Sequence, residues 1–144
     1  MQEYWDLYDR DRRPLGRVHL RGTPLPPDTY HVVVHLCIFN ERGEMLIQRR
    51  VGDKDTFPDY WDLSVGGSAR AGEDSRTAII RECTEELGVT PPLTDARPYL
   101  TVHFSGGFDD VYVAACKESE LSLHLQADEV AETMWAGEEQ ILAM

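Results

Sequence analysis

Between Gly67 and Val89 the chain places one glycine, a glutamate at Glu73, and then the run Arg81-Glu82-Cys83-Thr84-Glu85-Glu86-Leu87-Gly88-Val89. Asp74 or Ser75 is a suitable N-cap, so a helix running to about Leu87 is expected. On such a helix residues three and four apart share a face. Glu82, Glu85 and Glu86 then converge, while Ile79, Ile80, Cys83 and Leu87 point largely inward. At an effective dielectric of about 20, two carboxylates roughly 5 Å apart repel by about 3 kcal/mol. A cation placed among them removes that cost, and magnesium or manganese, which take carboxylate oxygens and keep several waters, match the donor set.

A solvated acidic helix face would explain three glutamates at this spacing alone. It does not explain the whole pattern. Seven positions (Gly67, Glu73, Arg81, Glu82, Glu85, Glu86, Gly88) must match together, and with each matched by chance about 7% of the time, roughly one chain in a million would do so accidentally.

These residues resemble the Nudix box: Gly, five residues, Glu, seven residues, then Arg-Glu-aliphatic-x-Glu-Glu-x-Gly-aliphatic. Cys83, where Val, Leu or Ile is usual, exchanges one small hydrophobe for another. The resemblance implies an α/β (α+β) fold of Nudix type, a mixed β-sheet sandwiched between α-helices. It also implies a metal-dependent pyrophosphohydrolase, with Mg2+ or Mn2+ held by Glu82, Glu85, Glu86 and the Gly67 carbonyl. Glu73 and Arg81 are then expected to tie loop to helix, with Arg81 orienting a carboxylate. The expected catalytic set is Glu82, Glu85, Arg81 and Glu73.

A length of 144 residues is one domain's worth, so residues 1–144 are expected to form a single domain. No stretch approaches the length of an apolar membrane span, and Met1-Gln2-Glu3-Tyr4-Trp5-Asp6 lacks the layout of a signal peptide. A cytoplasmic protein is expected. Cys37, Cys83 and Cys116 lie in apolar runs without CxxC spacing and read as buried free thiols. Fourteen basic against twenty-six acidic residues give a net charge of −12. Such a field repels polyanions, arguing against nucleic-acid polymers and anionic membranes as partners, so a small phosphate substrate must be met by local charges.

Along the chain, Tyr4–Tyr8 and Leu15–Leu20 read as a hairpin around the turn Asp9–Pro14. That hairpin offers a contact for a homodimer. His31–Phe39 reads as a central strand buried on both faces. Glu44–Arg49 follows the turn Asn40–Gly43, Arg50–Tyr60 reads as a loop, and Trp61–Val65 leads into a glycine turn at Gly66-Gly67. Tyr99–Ser105 and Val111–Lys117 pair around Gly106-Gly107. Glu129–Trp135 is a last strand and Glu138–Leu142 a short helix.

For substrate, Arg50 and Lys54 on the loop before the box are expected phosphate contacts, and Gly66 and Gly67 let the backbone approach phosphate. Glu129, Asp109 and Asp110 are candidates for an extra ligand or the general base. His31 and His35 alternate on one strand face and read as packed, hydrogen-bonded side chains. Phe57, Tyr60, Trp61, Tyr99, Phe104, Phe108 and Trp135 are pocket candidates, most of them core.

The stretch His31–Val65, with Arg49-Arg50 and Lys54, also resembles the isopentenyl-diphosphate isomerase branch of the family. By that resemblance the catalytic cysteine falls at Gly66 and one metal histidine at Ser68, so both groups are missing, although His31 falls where another metal histidine lies. A third reading is a non-catalytic nucleotide-sensing module, against which the intact set of helix glutamates argues.

Overall fold

The β-branched run of Val32, Val33 and Val34 with Ile38 forms β3 (His31–Phe39), the strand on which the molecule is organised. The computed structural model describes residues 2–93 and 95–144. β3 pairs antiparallel with β4 (Met45–Arg50) at one end and with β6 (Val65–Ser68) at the other. On its far edge it runs parallel to β8 (Gly107–Ala115) through all nine register pairs. β7 (Leu100–Phe104) returns antiparallel on β8, while β5 (Trp61–Asp62) and β9 (Val130–Ala136) flank β4. The sheet is therefore mixed, as expected.

Alternation along β3 divides the core. Val32, Val34, Leu36 and Ile38 are buried against the box helix α1 (Ser75–Leu87), through its Ala78, Ile79, Cys83 and Leu87. Cys37 and Phe39 point to the opposite face, where Met45, Ile47 and Ala136 pack with Ile141 of α2 (Glu138–Leu142). Only one face of β3 is uniformly buried; on the other His31 is buried and Val33, His35, Cys37 and Phe39 are half-buried, with Val33 and His35 lining the cleft described below.

The box helix begins where its capping residue predicts: the Asp74 carboxylate accepts a hydrogen bond from the Thr77 backbone N–H at 2.7 Å. It ends at Gly88, whose φ of 71° is the left-handed conformation that glycine adopts without strain.

Two glycine pairs play a different part from the one expected. Gly66 and Gly67 lie within β6, opposite His35 and Val34, rather than in a turn. A Cβ on Gly66 would stand 2.8 Å from the His35 ring, and one on Gly67 would overlap the Glu82 side chain. Close approach of side chains, not backbone reversal, requires glycine at both. Similarly β8 starts at Gly107, not at Val111, because a Cβ at Gly107 would overlap the His31 carbonyl across the parallel pair. Asp109 and Asp110 consequently lie in a strand.

The hairpin of β1 (Tyr4–Tyr8) and β2 (Pro14–Leu20) forms its own two-stranded sheet and docks on the body of the chain. Tyr8 and Tyr30 exchange backbone hydrogen bonds of 2.8 and 2.9 Å. Arg12 donates to both Asp110 oxygens, at 2.8 and 2.6 Å, and Trp5 stacks on His31 with ring centroids 3.8 Å apart.

His31 carries a measurable consequence of that stack. Burial, reinforced by the positive charge of Arg21 and by His19, holds its imidazole down to about 4. The folded ring stays neutral while the unfolded one protonates near 6.5, so this contribution to stability is complete above pH 6.5 and is lost as pH falls toward 4. Urea unfolding at pH 7 and pH 4.5 should show the parent losing about 2 kcal/mol more than His31→Phe, which keeps a ring on Trp5 and removes the titration. Equal losses in the two proteins would contradict the assignment.

Candidate active site

One cleft of about 670 Å³ brings together the helix glutamates, the glycine pair and the basic residues singled out from the sequence. α1 contributes Glu82, Glu85 and Glu86, β6 contributes Gly66 and Gly67, and Arg50 and Lys54 enter from β4 and the loop that follows it.

Arg81 organises the near wall. Its Nε and Nη2 donate to the two oxygens of Glu73, at 2.7 and 2.9 Å, a fork-to-fork pair with fixed geometry. Nη2 also reaches the Ser68 carbonyl at 3.2 Å, and Nη1 donates to Glu82 at 2.9 Å and Glu85 at 3.2 Å. One guanidinium thus joins the loop before the helix, strand β6 and two helix carboxylates. Burial opposes charge on Arg81, but Glu73 and Glu82 outweigh it and hold its pKa above the ordinary value. Burial likewise raises the Glu82 carboxyl, with Arg81 opposing.

Glu86 is the most deeply placed of the three carboxylates. It is only 7% exposed, it accepts from Gln48 Nε2 at 2.8 Å, and burial pushes its carboxyl up to about 8. Its hydrogen-bond partners are a neutral amide and the backbone N–H of Gly66, so nothing bonded to it supplies positive charge. The three glutamates share the cleft without forming a closed cluster. Among the described residues no three His, Cys, Asp or Glu side chains stand in the arrangement of a ready metal cage. The physical reason is competition: Arg81 draws Glu82 and Glu85, while Gln48 holds Glu86.

The donor set nevertheless fits a hard dication. Three carboxylates line this part of the cleft, and the hydrogen-bond partners of the buried Glu86 supply no countercharge, which such an ion would provide. Opposite them, Lys54 is ion-paired with Glu129, and the Arg50 guanidinium donates to the Thr56 carbonyl at 3.1 Å and stands 3.9 Å from Asp62.

Glu129 lies in the cleft, but the other two acidic candidates do not line it. Asp110 is engaged by Arg12 and by Thr101 on the α1 side of the sheet, and Asp109 accepts from His35. Of the aromatic candidates, Phe57 and Phe104 line the cleft, whereas Phe108 is core. Tyr99 is exposed away from it.

Sequence reasoning did not identify the residues that reach the cleft from elsewhere. Glu3 and Arg21, at the two ends of the hairpin, pair at 3.0 Å on its rim. Arg70 lies between them and the helix, 4.0 Å from Glu3 and 3.8 Å from Glu85. No local pattern marks these three: Glu3 and Arg21 acquire their place only through the docking of the hairpin, and Arg70 meets Glu3 only there.

Comparison with known proteins agrees with this architecture. Residues 29–144 match the family model of the NUDIX domain. An uncharacterised Nudix hydrolase of Listeria innocua is 48% identical over 143 residues, covering 99% of this chain and 84% of its own. Isopentenyl-diphosphate Delta-isomerase of Salmonella heidelberg is 37% identical over 109 residues, which is 72% of this chain and 56% of the isomerase. The crystal structure of DR0079 from Deinococcus radiodurans superposes with a TM-score of 0.81 at 27% identity, over 98% of this chain and 87% of that one. The chain belongs to the Nudix hydrolase family.

Proposed function

We propose that the protein is a metal-dependent pyrophosphohydrolase that cleaves the diphosphate linkage of a nucleoside diphosphate derivative or a related phosphoanhydride by attack of water on phosphorus. The observation that carries this reading is one cleft lined both by the helix carboxylates Glu82, Glu85 and Glu86 and by the cations Arg50 and Lys54. A bound Mg2+ or Mn2+ would neutralise phosphate charge and lower the pKa of a coordinated water. Glu82, Glu85, Glu86 and the Gly67 carbonyl are the groups to hold it. Arg81, clamped by Glu73, positions Glu82 and Glu85, and one of the cleft carboxylates accepts the proton of the attacking water. Arg50 and Lys54 are the cationic contacts for the phosphate chain, in a protein whose overall charge of −12 would otherwise repel it.

The isomerase reading is disfavoured by geometry as well as by composition. A side chain at position 66 would run into the His35 ring, so the place of a thiol is taken by imidazole. A small soluble substrate and a cytoplasmic setting accompany the hydrolase reading. Among the described residues no helix is long and apolar enough to cross a membrane.

A screen followed by 31P NMR over nucleoside triphosphates, nucleotide sugars, ADP-ribose, dinucleoside polyphosphates and coenzyme A derivatives tests the proposal. With millimolar magnesium or manganese at least one class should be cleaved at a phosphoanhydride, and EDTA should abolish turnover, with activity restored by excess metal. Turnover unaffected by EDTA would remove the metal from the mechanism. Binding of a nucleotide without cleavage in any class would favour the sensing module, and conversion of isopentenyl diphosphate to its rearranged alkene would favour the isomerase.

A further inference from the structure

We propose that His35, held by Asp109, is a catalytic residue that donates its Nε2 proton to the departing phosphate oxygen. The proposal rests on the pyrophosphohydrolase reading above and adds to it a proton donor from outside the box.

The geometry is that of an oriented imidazole. His35 Nδ1 lies 2.8 Å from both oxygens of Asp109, across the parallel pair of β3 and β8. A carboxylate on Nδ1 fixes the ring's orientation, accepts the Nδ1–H and favours the doubly protonated imidazolium, in which Nε2 carries the second proton, the one available for transfer. Nε2 has no hydrogen-bond partner among the described residues, and the side chain lines the cleft alongside Gly66, Gly67 and Glu82. The ring edge bearing Cδ2 and Nε2 lies over Gly66, 2.8 and 2.9 Å from where a Cβ would stand. A side chain at that position would displace the imidazole, so the absence of one gives the ring its place. A merely structural ion pair between two strands would need neither an unpartnered Nε2 nor an exit into the cleft.

The reaction balances around this group. The oxygen of water forms a bond to phosphorus while one of its protons passes to a cleft carboxylate. The bridging P–O bond breaks, its electron pair goes to the bridging oxygen, and the Nε2 proton follows to that oxygen. Transfer of the water-derived proton back to His35 through solvent restores the starting state. The net change is one water added across P–O–P.

His35→Gln, His35→Ala and Asp109→Asn test the assignment, assayed by 31P NMR on ADP-ribose, a nucleoside triphosphate and a dinucleoside polyphosphate with magnesium, with thermal unfolding measured in parallel. A positioned acid contributes about 10²-fold or more, so His35→Gln should lower kcat by about that factor with KM within about threefold. Asp109→Asn should lower kcat by about tenfold, because ring orientation is lost while the acid remains. Added imidazole should restore His35→Ala by about tenfold and leave His35→Gln, whose amide fills the space, unchanged. His35→Gln keeping kcat within twofold of the parent overturns the inference and leaves the hydrolase reading intact. Loss of kcat in His35→Ala that imidazole does not restore, accompanied by a lowered Tm, assigns a structural pair and also overturns it. A parent protein inactive on these three substrates and also on the nucleotide sugars and coenzyme A derivatives of the screen above overturns the hydrolase reading itself, and this inference with it.

Discussion

Glu85→Gln combined with Glu86→Gln should reduce phosphoanhydride cleavage by about 10³-fold or more while leaving the fold at least as stable as the parent. Loss of the metal's water activation and charge stabilisation amounts to several kcal/mol of barrier, and each 1.4 kcal/mol is a tenfold change in rate. Glutamine keeps the shape of glutamate and removes its charge, so the helix and its packing persist. For stability the two positions differ. Glu85 is partly exposed and pairs with Arg81 at 3.2 Å, a contact of small net value. Glu86 is buried beside Gln48 without a cationic partner, and an amide there removes the cost of burying an ionisable carboxyl that must either stay charged or take up a proton. The expected signature is therefore opposed: activity collapses while Tm holds or rises. That pattern is the one expected where a site retains an unfavourable charge for function. A double variant that hydrolyses as fast as the parent would show that these carboxylates are not the metal site. One that unfolds early would show that their role is structural.

Much of this arrangement was legible in the sequence because its signals are local. The Asp74 cap, the helical spacing of Ile79, Cys83 and Leu87, and the unbroken apolar run of β3 each specify their own element, and the structure places α1 at Ser75–Leu87 and β3 at His31–Phe39. The misreadings arose where glycine or aspartate carried a meaning set by a distant neighbour. Gly66-Gly67 reads as a turn by propensity, yet its glycines make room for His35 and Glu82 within a strand. Asp109 and Asp110 are poor strand formers, and tertiary partners override that preference: His35 takes one and Arg12 the other. The contributions of Glu3 and Arg21 to the cleft were invisible for the same reason. Their place depends on where the hairpin docks, and no periodicity within residues 3–21 encodes that.

One buried ion pair pins the tip of the hairpin to the sheet, and Arg12→Met should cost about 3–5 kcal/mol of stability. Asp110 is 1% exposed and receives two hydrogen bonds from Arg12, with Thr101 donating a third at 2.7 Å. Although burial works against it, these bonds hold the carboxyl below its ordinary value, so it is charged in the folded protein at neutral pH. Without the guanidinium that charge has no counterion, which is the costly way to break a buried pair. Removing both charges behaves differently, because Arg12→Met with Asp110→Leu leaves no orphan and places two apolar side chains beside Phe108, over which the Arg12 guanidinium lies at 5.5 Å. The double variant should recover most of the loss, giving a coupling energy of about 2 kcal/mol or more in a double-mutant cycle measured by urea unfolding. The hairpin would then stay docked by the Trp5–His31 stack and the Tyr8–Tyr30 backbone bonds. Single variants that each cost under about 1 kcal/mol, or a double variant whose loss equals their sum, would show that the pair does not hold the hairpin. Hydrogen exchange locates the effect: in Arg12→Met the amides of β1 and Tyr30 should lose protection before those of β3, because the hairpin opens as a unit while the central sheet persists.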